Sequence, residues 1–240
     1  MATVLILGGT SGIGEATARA FAQRGDAVVV AGRDPQRLQE ALERLDDGVR
    51  GEALDAGDAR AVRALAQSLA PIDVLVLALS GGTGAGAFGQ LALDDLRTGF
   101  DGKFWPQVTA LQETLPALAG DAAIVLVTAG SARAALPATA GLAAINGALE
   151  AMVPPLAAEL APCRVNAVSP GVVDTPWWDA QTPEMRAATF EAFAGHIPAG
   201  RVGRPEEVAG AIVALATNAY VTGSVLDCAG GAQLAMGPAG

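Results

Sequence analysis

The sequence has 240 residues, 51% of them hydrophobic and 17% charged, which is enough to bury one sizeable core in a single domain without requiring a second. Lysine and arginine total 15 against 25 aspartates and glutamates, and the resulting net charge of -10 argues against binding of a nucleic-acid phosphate backbone. Two distant cysteines, Cys163 and Cys228, match no metal-ligand spacing and read as reduced, buried thiols; with no basic leader and no apolar stretch expected to span a bilayer, the chain reads as a soluble cytoplasmic protein.

Thr3 to Leu7 is a short, apolar, partly β-branched run that predicts a buried strand. It passes straight into Gly8-Gly9-Thr10-Ser11-Gly12-Ile13-Gly14 and a helix from about Ile13 to Arg24. Strand, glycine turn and helix start make a cradle for phosphate. Gly8 and Gly12 keep side chains out of its path, while free backbone N–H groups and the helix dipole favour negative charge. Further strand-like runs follow at Ala27 to Ala31, Gly51 to Leu54, Val74 to Leu77, Ala122 to Thr128, Arg164 to Val168 and Val225 to Cys228. Between them, Pro35 to Leu45, Asp58 to Leu69, Leu96 to Leu118, Thr139 to Leu160 and Pro205 to Thr217 carry Ala and Leu at helical spacing. The alternation predicts an α/β fold: one domain over 1–240, a doubly wound, seven-stranded parallel sheet of Rossmann type with helices on both faces.

The G-x-x-x-G-x-G turn, Leu54-Asp55, Asp73-Val74-Leu75-Val76, Arg164-Val165-Asn166-Ala167-Val168-Ser169-Pro170-Gly171, Asp174-Thr175-Pro176 and Gly203-Arg204-Pro205-Glu206-Glu207-Val208-Ala209 occur in that order. Together they resemble the landmarks of the short-chain dehydrogenase/reductase family over nearly the whole length. The resemblance implies a nicotinamide dinucleotide, with Gly8, Thr10, Ser11, Gly12, Ile13 and Gly14 around its pyrophosphate. It also implies Asp55 accepting from the adenine amino group and Pro170, Gly171, Val173 and Thr175 near the nicotinamide carboxamide, although Asp55 is also a common turn former. Where an NAD-preferring member places an acid for the ribose hydroxyls, this chain has Gly32. The next residue, Arg33, offers a guanidinium to a 2′-phosphate, so NADP(H) is expected over NAD(H); the alternative is an arginine topping a surface helix.

The family's usual chemistry needs a tyrosine and, four residues later, a lysine on one helix face, with a serine upstream that orients the carbonyl. The ammonium lowers the phenol's pKa from about 10 toward neutrality. Here the tyrosine position is Leu142, the lysine position Asn146 and the serine position Ala129, flanked by Thr128 and Ser131. The one tyrosine, Tyr220, precedes the last strand, where the family commonly has a structural tyrosine. Lys103, in Phe100-Asp101-Gly102-Lys103-Phe104-Trp105, stands where the family has an asparagine, so Asn and Lys look exchanged between facing positions. Lys103 would then restore a positive charge near the nicotinamide ribose with Asn146 as its hydrogen-bond partner, or else snorkel to the surface. Gly81-Gly82-Thr83-Gly84-Ala85-Gly86 either lets backbone approach the ribose or forms a mobile loop.

Residues 176–198 fall where the family carries a substrate lid. Trp177, Trp178, Met185, Phe190 and Phe193 suit a hydrophobic or flat small-molecule substrate, or a helical hairpin packed on the body. His196, the one histidine, is a candidate proton donor or a surface residue. Two functions stay open. One is an NADP-dependent oxidoreductase passing hydride to or from a small apolar substrate by atypical acid/base chemistry; the other is a nucleotide-binding pseudoenzyme acting as sensor or partner subunit. The resemblance implies a homodimer or homotetramer, and Ala229, where an aspartate is usual, leaves the choice between them open.

Overall fold

Val4, Leu5, Ile6 and Leu7 are almost wholly shielded from solvent, as a run without polar alternation requires of a central strand covered on both faces. In the computed structural model, which describes residues 1–45 and 48–234, this run is β1 (Thr3–Leu7). The expected domain end at 240 lies outside the described residues. The chain continues through α1 (Gly12–Gln23), β2 (Ala27–Gly32), α2 (Pro35–Arg44), β3 (Arg50–Ala53), α3 (Ala59–Leu69) and β4 (Ile72–Leu77). Asp34 and Asp58 start α2 and α3, each side chain accepting from two backbone N–H groups of the first turn.

The helix expected over 96–118 begins earlier and is interrupted. It comprises α4 (Leu93–Gly99), a π-helical segment over Phe100–Phe104, α5 (Trp105–Thr114) and a 3-10 turn over Leu115–Ala117. β5 (Leu118–Val127) starts four residues before the expected Ala122, because Leu118 pairs with Ile72 across a register shift before Ala123 pairs with Val74. Then follow α6 (Ala140–Glu159), β6 (Arg164–Pro170), α7 (Pro183–Ala194), α8 (Pro205–Thr217) and β7 (Val225–Cys228).

The seven strands form one parallel sheet in the order β3-β2-β1-β4-β5-β6-β7. Alternate strand residues feed two separate cores. Leu5, Leu7, Leu75, Leu77, Ile124 and Leu126 pack with α3, α5 and α6, while Val4, Ile6, Val74, Val76, Val125 and Val168 pack with α1, α2 and α8. The order of connection reverses between β1 and β4, so their carboxyl ends open a crevice at the place where such sheets bind ligands.

Against expectation, α6 is long and apolar enough that length and composition alone would pass it as a membrane span. It packs on β6 and the turn after β5, with Gly141, Ile145, Asn146, Leu149, Glu150, Val153 and Ala157 buried along one stripe. The cysteines are free and only partly buried.

Candidate active site

The glycine turn sits at the carboxyl end of β1, where three glycines are needed for three different reasons. Gly8 has φ +86°, and a Cβ there would sit 2.5 Å from Ala78 O at the end of β4. Gly12 has φ +52°, and its Cβ would come within 3.2 Å of Thr175. A Cβ on Gly14 would drive into Gly8 O, so that glycine lets α1 pack against the turn. Ile13 packs on the second core. Ser11 caps α1 with extended backbone but makes no side-chain cap bond, which leaves its hydroxyl and the first-turn N–H groups for an anion.

Thr10 and Gly32 are coupled. A Cβ on Gly32 would meet Thr10 Cγ2 at 2.5 Å and Oγ1 at 3.0 Å, so the threonine fills the space an acid would need. Arg33 beside it is exposed and, among the described residues, joins no ion pair. Asp55 is exposed and does make a turn: its Oδ1 accepts from Gly57 N at 2.9 Å, leaving Oδ2.

Past β6 the chain crosses back toward the glycines. Pro170 is buried at the strand end, Gly171 N donates to Cys228 O at 3.1 Å, and Val173 is buried and bridged to Gly203. A Cβ on Gly171 would lie 2.9 Å from Ala229, so these two chain segments touch backbone to backbone. The packing of Thr175 against Gly12 unites the two expected cofactor segments.

Lys103 lies in the π-helical segment and is the only lysine in the sequence; the other 14 basic residues are arginines. It is partly buried and donates from Nζ to Thr128 O at 3.1 Å, just past β5. Desolvation lowers its pKa from 10.5 to about 8, against the opposing attraction of Glu150. The expected hydrogen bond to Asn146 is absent. Asn146 Nδ2 instead donates to Leu142 O at 2.9 Å and to Ser131 Oγ at 3.3 Å, because the amide is drawn to its own helix and to the turn after β5. Asn146 Oδ1 is buried without a partner. The Thr128 hydroxyl is committed, donating to Glu150 Oε1 at 2.9 Å with Val168 O at 3.2 Å.

The glycine run packs tightly. A Cβ on Gly84 would be 3.1 Å from Ile145 Cδ1 and 3.7 Å from Leu142 Cδ2, and one on Gly81 would be 3.3 Å from Lys103 Cβ. Gly84 therefore lies against Leu142 and Ile145 of α6, whereas Gly82 faces open space. Trp177 Nε1 reaches Gly81 O at 3.4 Å, tying this run to segment 176–198. Within that segment Trp178 packs edge-on against Trp177, Phe190 and Phe193, and its Nε1 donates to Val173 O at 3.0 Å. Arg186 of α7 grips Asp174, Asp179 and Thr175 O, clasping the helix to the turn that holds Thr175. His196 is exposed, with Nδ1 2.8 Å from Ala192 O, so the surface reading holds. Tyr220 is 99% exposed; it supplies no phenol to the site and no packing to the strand it precedes.

The family profile described as Enoyl-(Acyl carrier protein) reductase matches residues 8–233. The chain is a short-chain dehydrogenase/reductase. It is 33% identical over 247 residues to a galactitol 2-dehydrogenase (L-tagatose-forming) of Cereibacter sphaeroides, covering 96% of this chain and 94% of that one. A solved small-chain dehydrogenase in complex with NADPH is 30% identical, with TM-score 0.81 over 98% of this chain and 100% of the other. The apo structure of a short-chain oxidoreductase from Pseudomonas aeruginosa PAO1, described as containing an atypical catalytic center, is 31% identical, with TM-score 0.87 over 96% of each chain.

Short-chain dehydrogenases/reductases are oxidoreductases that bind a nicotinamide cofactor. The residues present fit one: the open helix start at Ser11, the side-chain-free cradle at Gly8 and Gly12, and the buried acceptor Asn146 Oδ1, which has no partner of its own. Two buried polar residues near the ends of β4 and β5 carry no motif in the sequence. Gln107 is buried and donates to Leu79 O and Val127 O at 3.3 and 3.4 Å, joining the ends of β4 and β5. Glu150 is buried beneath Thr128, and its one available signal was an acid in an otherwise apolar helical run.

Proposed function

We propose that the protein is an NADP(H)-preferring oxidoreductase that moves hydride to or from a small apolar substrate, with Lys103 as its acid/base group. The observation that carries the reading is the sole lysine, brought to the carboxyl end of β5 with a pKa of about 8, on the π-helical segment that packs against α6, the helix from which the family's phenol is missing. A group that titrates near the working pH is suited to proton transfer. A bound nicotinamide supplies the hydride. Around it, Lys103 Nζ gives or takes the proton, Asn146 Oδ1 accepts from a hydroxyl, and the aromatic cluster at Trp177 and Trp178 excludes water. NADP(H) preference is supported by the exposed Arg33, which joins no ion pair among the described residues, and by Thr10 in the space an acid at 32 would fill. The atypical-center description of the Pseudomonas aeruginosa relative and the NADPH in another neighbour point the same way. The protein would act in the cytoplasm on a small molecule, as a homodimer or homotetramer.

Calorimetric titration with NADPH and NADH, followed by a cofactor-oxidation screen over ketones, imines and enones, tests this. The expected result is NADPH binding about tenfold or more tighter than NADH, with turnover lost in Lys103→Met while binding persists. Leu142, an apolar side chain at the phenol's position, favours a second reading as a nucleotide-binding pseudoenzyme; binding without turnover over the whole panel would select it. Failure to bind either nucleotide refutes both.

A further inference from the structure

Among the described residues, Glu150 is the only acid on the buried stripe of α6, one turn beyond Asn146. Its Oε1 accepts from the Thr128 hydroxyl at 2.9 Å, and its Oε2 lies 3.1 Å from Arg133 Nε in the turn after β5. Arg133 reaches on to Asp227 of β7. One residue, Thr128, thus holds the acid through its side chain and the Lys103 ammonium through its main-chain carbonyl.

We propose that Glu150 is a positioning residue: through the Thr128 hydroxyl it fixes the carbonyl that anchors Lys103, and together with Arg133 it sets the charge state of that ammonium. The proposal rests on the reading of Lys103 as the acid/base group. Among the described residues, the charge that acts on Lys103 is Glu150 on α6; Arg133 after β5 pairs with Glu150 and, beyond it, with Asp227 on β7. Asp94, Asp95 and Arg97 on α4 and Asp101 within the π-helical segment are exposed, and Glu113 on α5 is paired with Arg63. A carboxylate this close favours the ammonium against burial, and Arg133 absorbs part of that field. Removing the acid therefore lowers the Lys103 pKa, whereas removing Arg133 raises it.

The single lysine makes the test direct. The full chain grown with lysine labelled with carbon-13 at the ε position gives one lysine resonance, titrated without cofactor or substrate. The midpoint is expected near 8 in the native protein. It is expected to fall by about one unit in Glu150→Gln and to rise by about half a unit in Arg133→Met. A loosened structure would move both variants the same way, so opposite signs identify the electrostatic role. An unmoved midpoint in Glu150→Gln, or shifts of one sign in both variants, overturns the proposal. If Glu150→Gln fails to fold, absence of the rise in Arg133→Met overturns it. Because nothing is turned over, failure of the oxidoreductase reading leaves this measurement intact.

Discussion

Replacing Lys103 by methionine keeps an unbranched stem of similar length and removes the charge. The ammonium pKa drops from 10.5 to about 8 in the folded protein. Between those values the unfolded chain holds a proton that the folded chain does not, so native stability rises with pH through that window and is lower at neutral pH. The difference of 10.5 and about 8 is about 2.5 units, and at about 1.4 kcal/mol per unit this disfavours the folded state by about 2 to 3.5 kcal/mol at neutral pH, the lower figure allowing for solvent at a partly buried side chain. Urea unfolding of native and Lys103→Met protein near neutral pH and again near pH 10.5 measures it. Titrations that both proteins share cancel in the difference. Relative to native protein, the variant should gain about 2 to 3.5 kcal/mol on going from the alkaline to the neutral condition. A stability gap that does not vary with pH would mean that the ammonium is solvated, and the argument from burial would fail.

Gly32→Asp alone should abolish cofactor binding in calorimetry, since its side chain meets Thr10; adding Thr10→Gly should restore binding and shift preference toward NADH. Gly12→Ala, forced into positive φ against Thr175, should cost about 1 to 3 kcal/mol in a urea melt and weaken nucleotide binding more than tenfold, about 1.4 kcal/mol. Arg186→Met should raise the rate of proteolytic nicking within 176–198 several-fold while changing global stability by about 0.5 kcal/mol or less, because its ion pairs are largely solvent-exposed. Equal nicking rates would show that the aromatic cluster alone holds the segment.

The central strands were legible because strands buried on both faces are continuous apolar runs, and Thr3–Leu7 lies where its run predicts; Val225–Cys228, partly exposed at the sheet edge, also keeps its predicted bounds. The break at Phe100–Phe104 was not, since a π-helical turn differs from an α-turn by one hydrogen-bond register and leaves little mark on composition. Lys103 was found from its motif position, but its partner was misassigned: a main-chain carbonyl such as Thr128 O has no signature in a sequence, whereas Asn146 does. Glu150 is one acid in an apolar helical run, and its partner, the Thr128 hydroxyl 22 residues away, is set by packing that no local pattern encodes. The Thr10–Gly32 contact spans a turn and the end of another strand, so Gly32 alone told only half of that arrangement.

Gly141 and Gly84 meet backbone to backbone, with Leu142 and Ile145 packed beneath the glycine run. A phenol returned to position 142 extends farther than leucine and would run into that run, and an ammonium returned to 146 would displace an amide already bound to Leu142 O and Ser131 Oγ. Two point reversions would therefore not rebuild the family's usual pair. The spacing between these two backbones is thus part of what sets this site apart, and rebuilding the usual pair would require the loop at Gly84 to move as well.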